Sequence, residues 1–253
     1  MLRILYSMIV VLVLTACATG VSFQNAKLGL SNDPTEKVDG LLAKPSGKGP
    51  FPAIVLLHTC GGVQPHVSED WPAFLTKNGY AALTVDTFGS RNAGRCPDAY
   101  YLRGITMARD AYGALDYLAG RPDIDPDRIG VMGFSLGAMA IEEFAMEYVK
   151  SPGGRNFKAG IVVYGRCQVF SEPPFPVLEI IGDQDRNSFN CLQGPFPPRL
   201  TVEVIPGAHH AFDVSQFTTM RTVSGGHSAI YSWTATKKAR ELTRKFFAKH
   251  LAR

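Results

Sequence analysis

A serine flanked by glycines at G-x-S-x-G spacing, Gly133-Phe134-Ser135-Leu136-Gly137, is the stretch best suited to chemistry. The apolar run Arg128-Ile129-Gly130-Val131-Met132 precedes it, entered from the turn Asp125-Pro126-Asp127, and residues 138–146 follow as a run of helix formers free of Gly and Pro. A hydroxyl that attacks a carbonyl must project from a sharp strand-to-helix turn with no room for side chains two positions either side. The helix start then aims free N–H groups at the point where negative charge develops. An acid and an imidazole should follow in that order. Residues 176–182 read as a buried strand ending in Asp183-Gln184-Asp185, and residues 200–205 as the next, ending in Pro206-Gly207-Ala208-His209-His210. The imidazole would take the serine proton as general base, and the carboxylate would hold its tautomer. Asp185, further past the strand end, reaches a cleft more easily than Asp183. His209 and His210 are adjacent and point differently, so only one of them can reach Ser135. His58 reads as structural, ordering its loop through hydrogen bonds.

These groups need a frame. Strand-like runs at 51–57, 80–85, 128–132, 158–164, 176–182 and 200–205 alternate with helix-like runs, notably 106–118 and a closing helix near 229–251. Such alternation predicts an α/β fold with a mostly parallel twisted sheet and helices on both faces. Each candidate then sits at the carboxyl end of a strand, where ligands gather on open parallel sheets. The 253 residues, 45% hydrophobic and 19% charged, suit one domain with a large core. The joint from 165 to 176 is too short for a cap domain, so an open cleft for small or exposed substrates is expected.

From about residue 36 onward the chain resembles the dienelactone hydrolase family of α/β-hydrolases, in its exported, serine-nucleophile branch. The resemblance rests on Leu56-Leu57-His58-Thr59-Cys60-Gly61-Gly62, Val85-Asp86-Thr87-Phe88-Gly89-Ser90-Arg91, the serine pentapeptide, Gly182-Asp183-Gln184-Asp185 and Gly207-Ala208-His209-His210-Ala211-Phe212-Asp213. It implies Ser135 as nucleophile, Asp185 as acid and His210 as base. It also implies an oxyanion hole from the backbone N–H groups of Leu136 and Cys60, with Thr59 as runner-up to Cys60. The founding members carry cysteine in place of the serine, which argues against their dienelactone substrate here. The family binds a substrate carboxylate through arginines. Arg91 matches the first, but Asp213-Val214-Ser215-Gln216 stands where its partner is expected, so the sequence does not support a carboxylate-bearing substrate. The implied activity is hydrolysis of small carboxylic esters through an acyl-enzyme. Acyl transfer, amide or peptide cleavage on the same groups, and a non-catalytic envelope binding protein are the alternatives.

The N-terminus reads as a targeting segment. Residues 1–16 have a brief positive start and an apolar stretch too short for a membrane span. Leu14-Thr15-Ala16-Cys17 resembles a lipoprotein lipobox, with Cys17 acylated, Ala18 after it favouring the outer membrane over the inner one, residues 17–35 a polar tether and 36–253 the hydrolase domain. The expected location is the bacterial cell envelope, facing the periplasm. Four further cysteines in loops after strands, Cys60, Cys96, Cys167 and Cys191, suit an oxidising compartment. Each pair Cys60–Cys96 and Cys167–Cys191 would join loops of plausible neighbouring strands, and exported relatives resemble this pattern. No C-x-x-C pair occurs, so no metal site is expected, and no cofactor. The net charge of +4 is modest, and the basic residues Lys237, Lys238, Arg240, Arg244, Lys245 and Lys249 interleave with Leu242, Phe246, Phe247 and Leu251 as on an ordinary amphipathic helix. The expected partners are therefore a small ester and a membrane reached through the lipid anchor, not nucleic acid. The oligomeric state is left open.

Overall fold

The computed structural model describes residues 18–28, 35–96, 104–144, 154–168 and 171–252. Eight strands form one sheet in the order β1-β2-β4-β3-β5-β6-β7-β8. They are β1 (Thr19–Gln24), β2 (Lys37–Ala43), β3 (Phe51–Leu57), β4 (Ala81–Asp86), β5 (Ile124–Phe134), β6 (Gly160–Val163), β7 (Val177–Gly182) and β8 (Leu200–Ile205). The β1–β2 and β2–β4 pairs are antiparallel, and every pair from β4 onward is parallel. The central strands β3 and β6 are continuous apolar runs because both of their faces are covered. In β3, Val55 and Leu57 join one core while Ile54 and Leu56 join the other. Helices α1 (Trp71–Lys77) and α5 (Trp233–His250) cover one face, and α2 (Gly104–Ala119) and α3 (Leu136–Glu143) cover the other. A short α4 (Ser188–Cys191) follows β7, and a small hairpin, β9 (Arg221–Val223) and β10 (His227–Ala229), stands apart from the main sheet. The expected mostly parallel sheet is present. Among the described residues no cap domain lies between β6 and β7.

The expected tether is corrected. Thr19–Gln24 is an edge strand of the sheet, and Phe23 is buried and stacks on Tyr117 of α2. Just beyond it, the Asn25 side chain accepts from the Glu36 backbone N–H. Gly113 of α2 lets this segment approach, since a Cβ there would lie 2.3 Å from the Gln24 carbonyl oxygen. The strand escapes a sequence reading because one face is solvated, and Ser22 and Gln24 give it a polar surface. The folded body therefore begins by Thr19. The signal segment and Cys17 lie outside the described residues.

Both cysteine pairings are present. Cys60–Cys96 joins the loops after β3 and β4, with Cα atoms 4.7 Å apart, and Cys167–Cys191 joins the segment after β6 to α4, at 5.2 Å. The first holds the loop that carries Thr59 and Cys60, where the Cys96 N–H also donates to the Cys60 carbonyl at 2.8 Å.

Candidate active site

Ser135 occupies the turn between β5 and α3 with φ +52° and ψ −103°, a backbone conformation that L-residues rarely adopt. The flanking glycines make this turn possible. A Cβ on Gly133 would lie 2.2 Å from the Gly137 carbonyl oxygen, and one on Gly137 would lie 2.3 Å from that of Leu57. The elbow thus packs backbone directly onto backbone and lifts the serine out of the sheet.

His210 follows β8 and brings Nε2 to 2.9 Å from Ser135 Oγ. Its Nδ1 lies 2.6 Å from Asp185 Oδ2, beyond the end of β7. An ionised carboxylate only accepts, so Nδ1 carries the proton and Nε2 is left free to accept from the serine hydroxyl. The Asp185 side chain has no solvent exposure. Burial alone would raise its carboxyl pKa, but hydrogen bonds from His210 and His227, the charge of His210 and the Asn187 N–H together hold it below the usual carboxylate range. The rivals are placed elsewhere. Asp183 accepts from the Gly207 N–H at 2.7 Å and pins the turn after β8. No hydrogen bond joins His209 to Ser135, and the His209 Nδ1 has no partner. His58 is buried and donates through Nδ1 to the Thr59 carbonyl at 2.7 Å, and burial pushes its pKa down.

Behind the imidazole lies a network that sequence reasoning missed. The Tyr164 ring packs on His210 with centroids 4.8 Å apart, and its hydroxyl donates to Asp213 Oδ1 at 2.9 Å. Trp71 Nε1 donates to the other oxygen of Asp213 at 2.7 Å. Three chain segments are thereby tied under the His210 ring. His227 was missed too: its Nδ1 lies 3.0 Å from Asp185 Oδ1. The only sequence signal was Asp213 within the histidine motif.

The expected oxyanion donors are the backbone N–H groups of Leu136 and Cys60. Leu136 is the first residue of α3, so its N–H has no acceptor one turn earlier in that helix. Cys60 lines a cleft of about 430 Å³ together with Thr59, Ser135 and His210. Arg91 is a correction. Its guanidinium grips Asp110 of α2 through both carboxylate oxygens at 2.9 Å and Glu36 at 2.6 Å, and it does not line the cleft. It ties the loop after β4 to α2 and to the start of β2. Two other arginines do line the cleft, Arg95 and Arg221. Both are exposed, and neither is paired with a carboxylate among the described residues. Arg221 instead lies over the Phe217 ring.

Residues 38–251 match the dienelactone hydrolase family. The chain belongs to that family. One relative, YtaP of Bacillus subtilis (strain 168), itself named only as a hydrolase, is 31% identical over 126 residues, which cover 41% of this chain and 42% of that protein. This chain thus spans less than half the length of the curated relatives it matches. Among solved structures, the dienelactone hydrolase of Anabaena variabilis ATCC 29413 superposes with a TM-score of 0.63 at 19% identity, covering 93% of this chain and 99% of that one. EstE1, a thermostable carboxylesterase from a metagenomic library, gives 0.62 at 16% identity over 94% and 90%. At such identities the likeness is one of fold.

Proposed function

We propose that this dienelactone hydrolase family member is a serine hydrolase that cleaves carboxylic esters of small substrates through an acyl-enzyme. The observation that carries the reading is the hydrogen-bonded relay from Ser135 Oγ through His210 to Asp185, at 2.9 and 2.6 Å. Ser135 Oγ attacks the ester carbonyl while His210 Nε2 takes its proton. The oxyanion is held by the N–H groups of Leu136 and Cys60. Collapse breaks the acyl–oxygen bond, and the imidazolium returns its proton to the departing alkoxide. Water then attacks the acyl-enzyme with His210 as base, releasing the acid and restoring the serine. Asp185 stays ionised and stabilises the imidazolium in both half-reactions.

Substrate size and charge follow from the cleft. It lacks a cap among the described residues, so p-nitrophenyl esters of graded acyl length are expected to show highest kcat/KM for short chains, and strong selectivity for long ones would contradict the reading. Arg95 and Arg221, with no carboxylate partner among the described residues, favour esters that carry a second, anionic group. Arg221→Gln is expected to lower kcat/KM about tenfold for a hemisuccinate ester and to leave the neutral acetate nearly unchanged. Equal losses on both would contradict the charge preference.

The reading also places the enzyme at a membrane, anchored by acylated Cys17 and facing the periplasm. No described helix is long and apolar enough to cross a membrane. With the sheet beginning at Thr19, the anchor would hold the domain close to the lipid surface. Cys17→Ser is expected to move the protein from the membrane to the soluble fraction of lysed cells, and an unchanged distribution would contradict it.

A further inference from the structure

Asp185 serves two imidazoles. Its Oδ2 accepts from His210, while its Oδ1 accepts from His227 Nδ1 at 3.0 Å and from the Asn187 N–H at 3.0 Å. The His227 ring also stacks on His210, with centroids 4.1 Å apart and planes 29° from parallel. The ester mechanism as derived needs only one of these rings.

The second ring arrives on its own device. His227 opens β10 and pairs with Val223 across the β9–β10 hairpin. The hairpin is docked at both ends of the relay. Ser228 accepts from the His210 N–H at 3.1 Å, and Arg186, next to Asp185, donates to the Gly225 carbonyl at 2.6 Å. The opposite strand and turn, from Arg221 to Ser224, form part of the cleft wall. One small hairpin therefore both walls the substrate space and touches the acid.

Resting on the ester-hydrolase reading, we propose that His227 is a positioning residue for the reaction. From the hairpin it fixes the plane of the Asp185 carboxylate, and so the orientation of the His210 ring toward Ser135. A carboxylate is free to turn about its Cβ–Cγ bond. Separate donors on its two oxygens stop that rotation and hold Oδ2 on the line of His210 Nδ1. Without the His227 donor, only the Asn187 amide remains on Oδ1. A displacement of about 1 Å in catalytic geometry costs on the order of 100-fold in rate. Because His227 acts on a group that works in the transition state, its loss should fall on kcat rather than KM.

The test is steady-state kinetics with p-nitrophenyl acetate on wild type, Ser135→Ala, His227→Ala and His227→Asn, each checked for its melting temperature. His227→Ala is expected to lower kcat between about 10- and 100-fold with KM changed less than about threefold. In His227→Asn the amide nitrogen stands close to the position of Nδ1, so kcat should return to within about fivefold of wild type. Wild-type kcat in His227→Ala beside an inactive Ser135→Ala would overturn the proposal, as would a change confined to KM. Loss in both His227 variants together with a lowered melting temperature would reduce the residue to a structural role and overturn it equally. Retained activity in Ser135→Ala would instead overturn the underlying serine-hydrolase reading.

Discussion

Ser135→Ala is expected to lower kcat for a short p-nitrophenyl ester by about 10⁴- to 10⁶-fold, with KM within a few-fold of wild type. The hydroxyl is the group at the elbow that forms the acyl-enzyme, and without it His210 has only water to activate. A loss of that size corresponds to about 5–8 kcal/mol of transition-state stabilisation. The remaining rate would come from the oxyanion donors and the cleft acting on water. Folding should be preserved, because the strained turn is made possible by Gly133 and Gly137 and not by the serine side chain. Activity within tenfold of wild type would remove serine catalysis from the account.

Asp185→Asn should cost about 10⁴-fold in kcat. The carboxylate accepts from His210 Nδ1 and His227 Nδ1 through different oxygens. An amide offers one acceptor oxygen and turns an NH₂ toward one of those N–H groups. If that ring is His210, the tautomer must change and Nε2 then bears the proton, so it no longer accepts from Ser135. The pH dependence follows from the sign of the Asp185 shift. Its folded-state pKa is lowered, so the stability it contributes is fully present above the ordinary carboxylate value near 3.9 and is lost only as pH falls through the lower folded value. Asp185 therefore stays ionised across neutral pH. The variant's deficit should persist across about pH 6 to 8 in kcat/KM profiles, and a deficit that vanishes within that window would contradict the assignment.

Much of this site was legible in the sequence for a physical reason. Each member of the relay lies at the end of an apolar strand, and parallel strands buried on both faces leave continuous hydrophobic runs. Residues 51–57 and 200–205 matched β3 and β8 end to end, and the glycines around Ser135 are dictated by backbone clearance. The cysteine pairs were legible because neighbouring strands bring their loops together. What escaped notice depends on contacts that no local pattern encodes. His227 sits on a three-residue strand after Gly225 and Gly226, too short for any periodicity. The Trp71–Asp213 bond joins residues 142 apart. Arg91 fits a family motif, yet Asp110, buried inside α2, claims its guanidinium. Arg95 comes from the loop after β4 and Arg221 from β9, and only the folded chain shows that they share a cleft. The edge strand β1 reads as a polar tether because most of its residues face water.

The central claim is that the Ser135 hydroxyl is made nucleophilic by His210 and Asp185. Treatment of the folded protein with a fluorophosphonate, followed by intact mass and peptide mapping, tests it most directly. The expected result is a single phosphonyl adduct on Ser135 that is absent from Ser135→Ala and greatly slowed in Asp185→Asn. No adduct on the wild-type protein, or the same adduct on Ser135→Ala, would contradict it.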